Sequence, residues 1–541
     1  MPRLLPLLLL RGAAAFAPTA LFGDGMILQA GAANLTGSAA PGAAVELTAE
    51  PPLPAGSTFR ATAGPDGAWT LGPLAAPHNA GPFALTLASG GATATARDVW
   101  FGTVLLCTGQ SNMELNLHPI YDNASLIAAG DHPEIMLWKA PIAAQAEPQP
   151  VGAPMAANWT ATTPQSVAQF SAICYLTALE LSSRTMCTDG ACRFGLVQSC
   201  LGSTDVQSWM SDAARSAALS GCWAEGGATP PAALPPSQSH APSKAGGAAG
   251  LLWNGMLAPL VGFSLGAILW DQGENNAHYC SSHEYNCLFS SMLASWRAAW
   301  AQPSVPVAFV QLGPYGCAGN VSTIRLAQSD TLPADQSYWT NHSARIPTPV
   351  SAVVPTYDLG SPQPGHVQDP QAPGYNLWIH QRNKSAVARR LALALTRLQP
   401  PGLAPMTEAA EETEGPRVSA ARVVLGAGKM PTVEVTLDKA EGVSLAPAQG
   451  CVRCCDQSVD PEARADAGSL VEVANRRGKW LPATGELDAQ GKLVVRPRST
   501  VSGGWVSAVR YAVVDEPQCV LYGASGLPAL PFELPLPWKA N

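Results

Sequence analysis

Between Val99 and about Pro400, short apolar runs recur with helical stretches between them, and this alternation constrains the fold more than any other feature of the chain. Val99–Cys107, Phe194–Gln198, Ala267–Trp270 and Val307–Leu312 are nearly continuous in apolar residues, as strands buried on both faces are. Lys384–Leu398 places Val387, Leu391, Ala394, Leu395 and Leu398 on one helical face. Strands and helices in that order predict an α/β domain built on a parallel sheet. Upstream, from Phe22 to about Asp98, Val45-Glu46-Leu47-Thr48 and Ala84-Leu85-Thr86-Leu87 alternate with period two, and Pro65-Asp66-Gly67 marks a turn, which predicts a small β-sandwich. Beyond Pro400 the acidic run Glu408–Glu414 reads as a linker, after which Thr432–Leu437 and Trp505–Val513 resume strand alternation. The expected organisation is a β domain over 18–98, an α/β domain over 99–400 and a second β domain over 401–541. Residues 226–250, rich in Ala, Pro, Gly and Ser, read as a surface-loop insertion.

Several features point to the secretory pathway. Arg3, the apolar run Leu4–Leu10 and the small residues Ala13, Ala15 and Ala17 form a signal-peptide pattern over 1–17. Asn34, Asn123, Asn158, Asn320, Asn341 and Asn383 stand in glycosylation sequons and are the expected N-glycan sites. Thirteen cysteines suit an oxidising compartment, and the odd count leaves at least one thiol unpaired, with Cys107 inside its apolar strand the expected one. Cys451, Cys454 and Cys455 lack a second ligand pair at zinc spacing, so no metal is expected and disulfides are preferred. A net charge of −8 with no basic run argues against nucleic acid as a partner, and the leading apolar run is too short for an integral membrane segment. The expected location is secreted or lysosomal.

The residue that points to chemistry is Ser111. In Leu105-Leu106-Cys107-Thr108-Gly109-Gln110-Ser111-Asn112-Met113-Glu114 a buried strand runs into a glycine, and the serine follows at a helix start. That junction exposes a hydroxyl at the carboxyl end of a parallel strand, where helix-start N–H groups face developing negative charge. Gly262-Phe263-Ser264-Leu265-Gly266 fits another hydrolase pattern, but its strand follows the serine instead of preceding it.

Gly109-Gln110-Ser111-Asn112-Met113 resembles the nucleophile block of the SGNH hydrolases, and in particular of the sialate O-acetylesterase family. Leu21–Gln29, Trp253–Leu260, Lys479–Ala483 and Val509–Ala512 resemble further blocks of that family in the same order. The resemblance implies a flavodoxin-like three-layer catalytic domain flanked by β-sandwich-like domains. It also implies a cofactor-independent serine esterase acting on O-acetylated sugars. Ser111 is then the nucleophile and His380, in Ile379-His380-Gln381, its base, with Gln381 standing where the family has proline. An acceptor is needed to fix the imidazole. Leu377 occupies the position three residues before the histidine; Thr356-Tyr357-Asp358-Leu359 resembles the family's upstream Asp-Leu segment, which implies Asp358 as the acceptor, with Asp369 second and a backbone carbonyl the remaining alternative. The expected oxyanion donors are the Ser111 and Gly202 amides and the side chain of Gln272 or Asn276. In these blocks Ser203 and Asp271 replace a glycine and an aromatic residue of the family. Arg325 and Gln328 are expected at the substrate, Arg325 against a sugar carboxylate. Sialic acid O-acetyl esters are the implied substrate, acetylated polysaccharide such as xylan the alternative, and an inactive carbohydrate-binding homologue a third reading.

Overall fold

The computed structural model describes residues 16–185, 187, 192–221, 250–278, 282–314, 320–330, 348–360, 379–403, 414–425, 430–448, 470–501, 505–515, 517 and 519–536. The signal-peptide pattern through residue 15, most of the 226–250 insertion, Asn341, Asp369 and Cys451, Cys454 and Cys455 lie outside the described residues.

The protein is a mixed α/β chain whose centre is a parallel sheet. Its strands are β1 (Ala92–Gly109), β2 (Ile135–Lys139), β3 (Phe194–Cys200), β4 (Ala267–Asp271), β5 (Val307–Val310) and β6 (Ser351–Val354), in spatial order β2-β3-β1-β4-β5-β6. All five of these pairings are parallel. Chain order departs to one side of β1 and then the other, so the carboxyl end of β1 lies at the switch point where open α/β sheets place their ligands.

The apolar runs become fully buried strands because both faces of the sheet are covered. On one face Leu105, Cys107, Leu196 and Leu269 pack with Ile173 of α2 (Ala172–Arg184) and with Val387 and Leu391 of α5 (Lys384–Leu398). On the other, Leu106, Trp270 and Phe309 pack with Phe289 and Trp296 of α3 (Ser282–Ala299). The unpaired-thiol expectation for Cys107 is corrected here. Its side chain faces α2 and is joined to Cys174, with the Cα atoms 5.9 Å apart, and the free cysteine among the described residues is the buried Cys200. Cys187 is joined to Cys192, and Cys287 and Cys519 are also disulfide-bonded.

The first β region does not stop where the alternation changes. Strand β1 runs 18 residues without interruption. Its first part pairs antiparallel with Phe83–Ser89, and its second part pairs in parallel with Ile27–Gln29 and then with β3 and β4. Asp98, the expected boundary, lies inside this strand at φ 54°. The C-terminal region forms a seven-stranded antiparallel sheet from Val418–Val424 to Phe532–Pro535, with a two-stranded ribbon of Ser444–Pro447 and Cys519–Tyr522. No helix among the described residues is long and apolar enough to cross a membrane.

Candidate active site

Strand β1 ends in a turn that only glycine fits. Gly109 has φ 134°, and a Cβ there would strike the Asp271 carbonyl of neighbouring β4. The Gln110 amide donates to that carbonyl at 2.9 Å, after which α1 (Ser111–Glu114) begins. Ser111 is half-buried. The loop after β3 comes against it, since a Cβ on Gly202 would lie 3.1 Å from Ser111 Cβ.

His380 arrives from the other end of the sequence, and one side chain ties the two turns together. Asn112, 1% exposed, donates from Nδ2 to the carbonyl of Ile379 at 2.9 Å. The neighbour of the serine therefore holds the neighbour of the histidine. His380 is half-buried, and Gln381, in the place of the family's proline, is buried against Gly313, where a Cβ would collide with its amide. Asn383 then caps α5 by accepting from the Ala386 amide at 3.1 Å.

Beneath this junction sits a buried polar cluster. Asn112 Nδ2 also donates to Glu274 Oε1 at 2.5 Å, and Lys384 Nζ donates to Asn112 Oδ1 at 2.6 Å. Asp271, Glu274 and Lys384 are 2%, 4% and 0% exposed, so three ionisable groups share one desolvated site. Burial pushes the Asp271 carboxyl up to about 7 against the pull of the Lys384 ammonium, with Glu274 adding to the rise. Burial likewise raises Glu274, against its hydrogen bond from Asn112, and lowers Lys384 against the attraction of the two carboxylates.

The other expected site residues are placed differently. Asp358 is corrected from orienter of the histidine to a structural anchor. Its two oxygens accept from Arg390 Nη1 and Nη2 at 2.7 and 2.6 Å, and Oδ2 also from the Tyr522 hydroxyl at 3.1 Å. No hydrogen bond joins it to His380 among the described residues. Arg325 and Gln328, on α4 (Val321–Asp330), are corrected from substrate contacts to core braces, both 0% exposed. Arg325 donates to the carbonyls of Leu312, Gly313, Val514 and Asp515, all within 2.8 Å. Gln328 donates to the carbonyls of Gln272 and Val310 and accepts from the Leu312 amide. A fully buried guanidinium with four of its five N–H groups on main-chain carbonyls braces the core and is not presented to a sugar carboxylate.

Gln272 and Asn276 are corrected in the same way. Gln272 Nε2 donates to Asn276 Oδ1 and the Thr204 carbonyl, while Asn276 accepts from the Val206 amide and donates to Gln207. Together they brace the 201–207 loop against the end of β4. The Gly202 amide lies beside Ser111 but donates to Glu114 Oε2 at 2.7 Å. Ser203, where the family has glycine, is exposed at φ 60°.

No protein-family model matches the chain. Sialate O-acetylesterases do. The Homo sapiens protein is 26% identical over 462 residues, covering 81% of this chain and 76% of its own. The Rattus norvegicus protein is 25% identical over 528 residues, covering 87% and 84%. The chain is similar to sialate O-acetylesterases over most of its length. A solved carbohydrate acetylesterase from Xanthomonas citri shares the fold, with a TM-score of 0.69 at 23% identity over 96% of this chain and 99% of its own.

The residues of this site that the sequence alone did not single out are Asn112, Glu274 and Lys384. One signal was available. A cation in the first turn of a helix opposes the macrodipole, so Lys384 at the start of α5 called for buried carboxylates nearby.

Proposed function

We propose that this chain is an SGNH-type serine esterase that removes O-acetyl groups from sugars, with sialic acids as the substrate class. The observation that carries the reading is the Asn112–Ile379 hydrogen bond, which holds the Ser111 and His380 turns together at the carboxyl end of the central strand. The likeness to sialate O-acetylesterases supports the hydrolase class. In this reading Ser111 Oγ attacks the acetyl carbonyl while His380 takes its proton. The Ser111 amide meets the oxyanion, joined by the Gly202 amide once Glu114 releases it. The sugar hydroxyl leaves with the proton from His380, and water then attacks the acetyl-serine by the same route. The disulfides Cys107–Cys174 and Cys187–Cys192 support an oxidising, secretory compartment, and exposed Asn158 is the best-presented of the described sequons.

Acetate release from 9-O-acetyl sialic acid and from acetylated xylan, by wild type and Ser111→Ala, tests the reading. We expect release from the sialate, lost by about a thousandfold or more in the variant, since nucleophile removal leaves only binding and oxyanion effects. Release from xylan alone would transfer the assignment to polysaccharide esters, and release that survives in Ser111→Ala would remove Ser111 as nucleophile.

A further inference from the structure

We infer that Asn112 is the positioning residue that holds the His380 turn in register with Ser111, and that Glu274 and Lys384 act by locking its amide in one orientation. The inference rests on the serine-esterase reading and goes beyond it, because it concerns what aims the base once Asp358 is committed elsewhere.

The amide of Asn112 has one acceptor oxygen and two donor hydrogens, and each has a defined use. Lys384 Nζ carries only donors, so it sits on Oδ1, at 2.6 Å. Glu274 Oε1 takes one Nδ2 hydrogen at 2.5 Å. The remaining hydrogen is then directed at the Ile379 carbonyl, at 2.9 Å. Flipping the amide would set its NH2 group against an ammonium and its oxygen against a carboxylate, in a site where charges are desolvated and such contacts are at their most costly. The orientation is therefore dictated by two charges of opposite sign that reach Asn112 from different segments.

Each partner is itself fixed. Lys384 opens α5, four residues after His380, so the charge that locks the amide travels on the element that follows the base. Glu274 lies just past β4, whose Asp271 carbonyl holds the Gln110 amide on the other side of the serine turn. Asp271 completes the site beside Lys384. Four residues from three distant stretches of chain thus converge on the bond between the two turns. The lever is short: a rotation at Ile379 displaces the imidazole one residue along. A misplacement of about 1 Å in a proton-transfer pair costs about a hundredfold in rate.

Asn112→Ala and the isosteric Asn112→Asp test this, with Ser111→Ala and His380→Ala as references. The measurements are kcat and KM for acetate release, the labelling rate of Ser111 by a small fluorophosphonate, and the melting temperature. We expect both Asn112 variants to lose about a hundredfold in kcat. KM should stay within about threefold, and labelling should slow in parallel with kcat, because labelling needs the base but no sugar site. Asn112→Asp preserves volume and keeps the test readable if the alanine variant does not fold. Labelling and kcat within threefold of wild type in a folded Asn112 variant, while Ser111→Ala and His380→Ala are inert, overturns the positioning role alone. A rise in KM at unchanged kcat overturns it too, since that would make Asn112 a substrate contact. A wild-type protein whose Ser111 is not labelled removes the serine-esterase reading and this inference with it.

Discussion

At the scale of single residues, Ser203 carries a cost beside the nucleophile. Its φ of 60° lies in the left-handed region, where a side chain is disfavoured and glycine is not. Ser203→Gly is expected to raise stability by about 0.5–1 kcal/mol, the steric relief outweighing the added freedom of the unfolded chain. The denaturant midpoint checks it, and an unchanged or lower midpoint would show that the hydroxyl earns its place there. Asp271 gives a pH signature. Its carboxyl titrates near 7 in the folded chain and near 3.8 when free, so between those values the folded state holds a proton the unfolded state has lost. That contribution to stability is complete below about pH 4 and fades as pH rises to about 7. Asp271→Asn should therefore flatten the fall in urea midpoint across that window, and an equally steep fall in the variant would assign the slope elsewhere. The same residues show where local pattern stops informing. The turn at Gly109 and the helix start at Ser111 are local facts, written in consecutive residues. Whether Arg325, Gln328, Gln272 or Asn276 faces a cavity or a main-chain carbonyl depends on segments far away in sequence, and polar residues in a family block look alike in both roles.

At the scale of elements, the central strand is fastened on one face by a covalent bond to α2. Cys107 and Cys174 are 67 residues apart in sequence, and closing a loop of that size removes unfolded-state freedom equivalent to about 4 kcal/mol. Cys174→Ala should cost a comparable amount, read as a lower denaturation midpoint, and a loss under about 1 kcal/mol would show that packing of α2 suffices without the bond. Expecting Cys107 to be the odd thiol followed from its apolar setting, and the error is physical. A disulfide is itself an apolar cross-link, at home in a core, so burial does not distinguish a bonded cysteine from a free one. The strands themselves were legible because burial on both faces demands continuous apolar runs. Their lateral order was not, because β3 enters between β2 and β1 through contacts that no single run encodes.

At the scale of the whole molecule, the C-terminal sheet is bound to the central layer by buried polar bonds. Arg325 reaches Val514 and Asp515, the Ser322 amide reaches the Asp515 side chain, and Asp358 meets Tyr522. Arg325→Met would leave four buried carbonyls without that donor, at about 1 kcal/mol or more each. We expect a loss of about 4 kcal/mol or more, with calorimetry showing the C-terminal sheet melting ahead of the rest. A single transition at the wild-type temperature would mean that the remaining polar and apolar contacts suffice to join the two without Arg325.

The long strand β1 bears on descent as well as on stability. One strand passes from the N-terminal β region into the heart of the central sheet, with a shift in register at Arg97 and Asp98 but no break in the chain's extended course. A recombination event with a breakpoint there would split one ladder in two and leave a raw edge on each side. The N-terminal β region and the nucleophile turn therefore share one continuous strand, the rail that delivers Ser111.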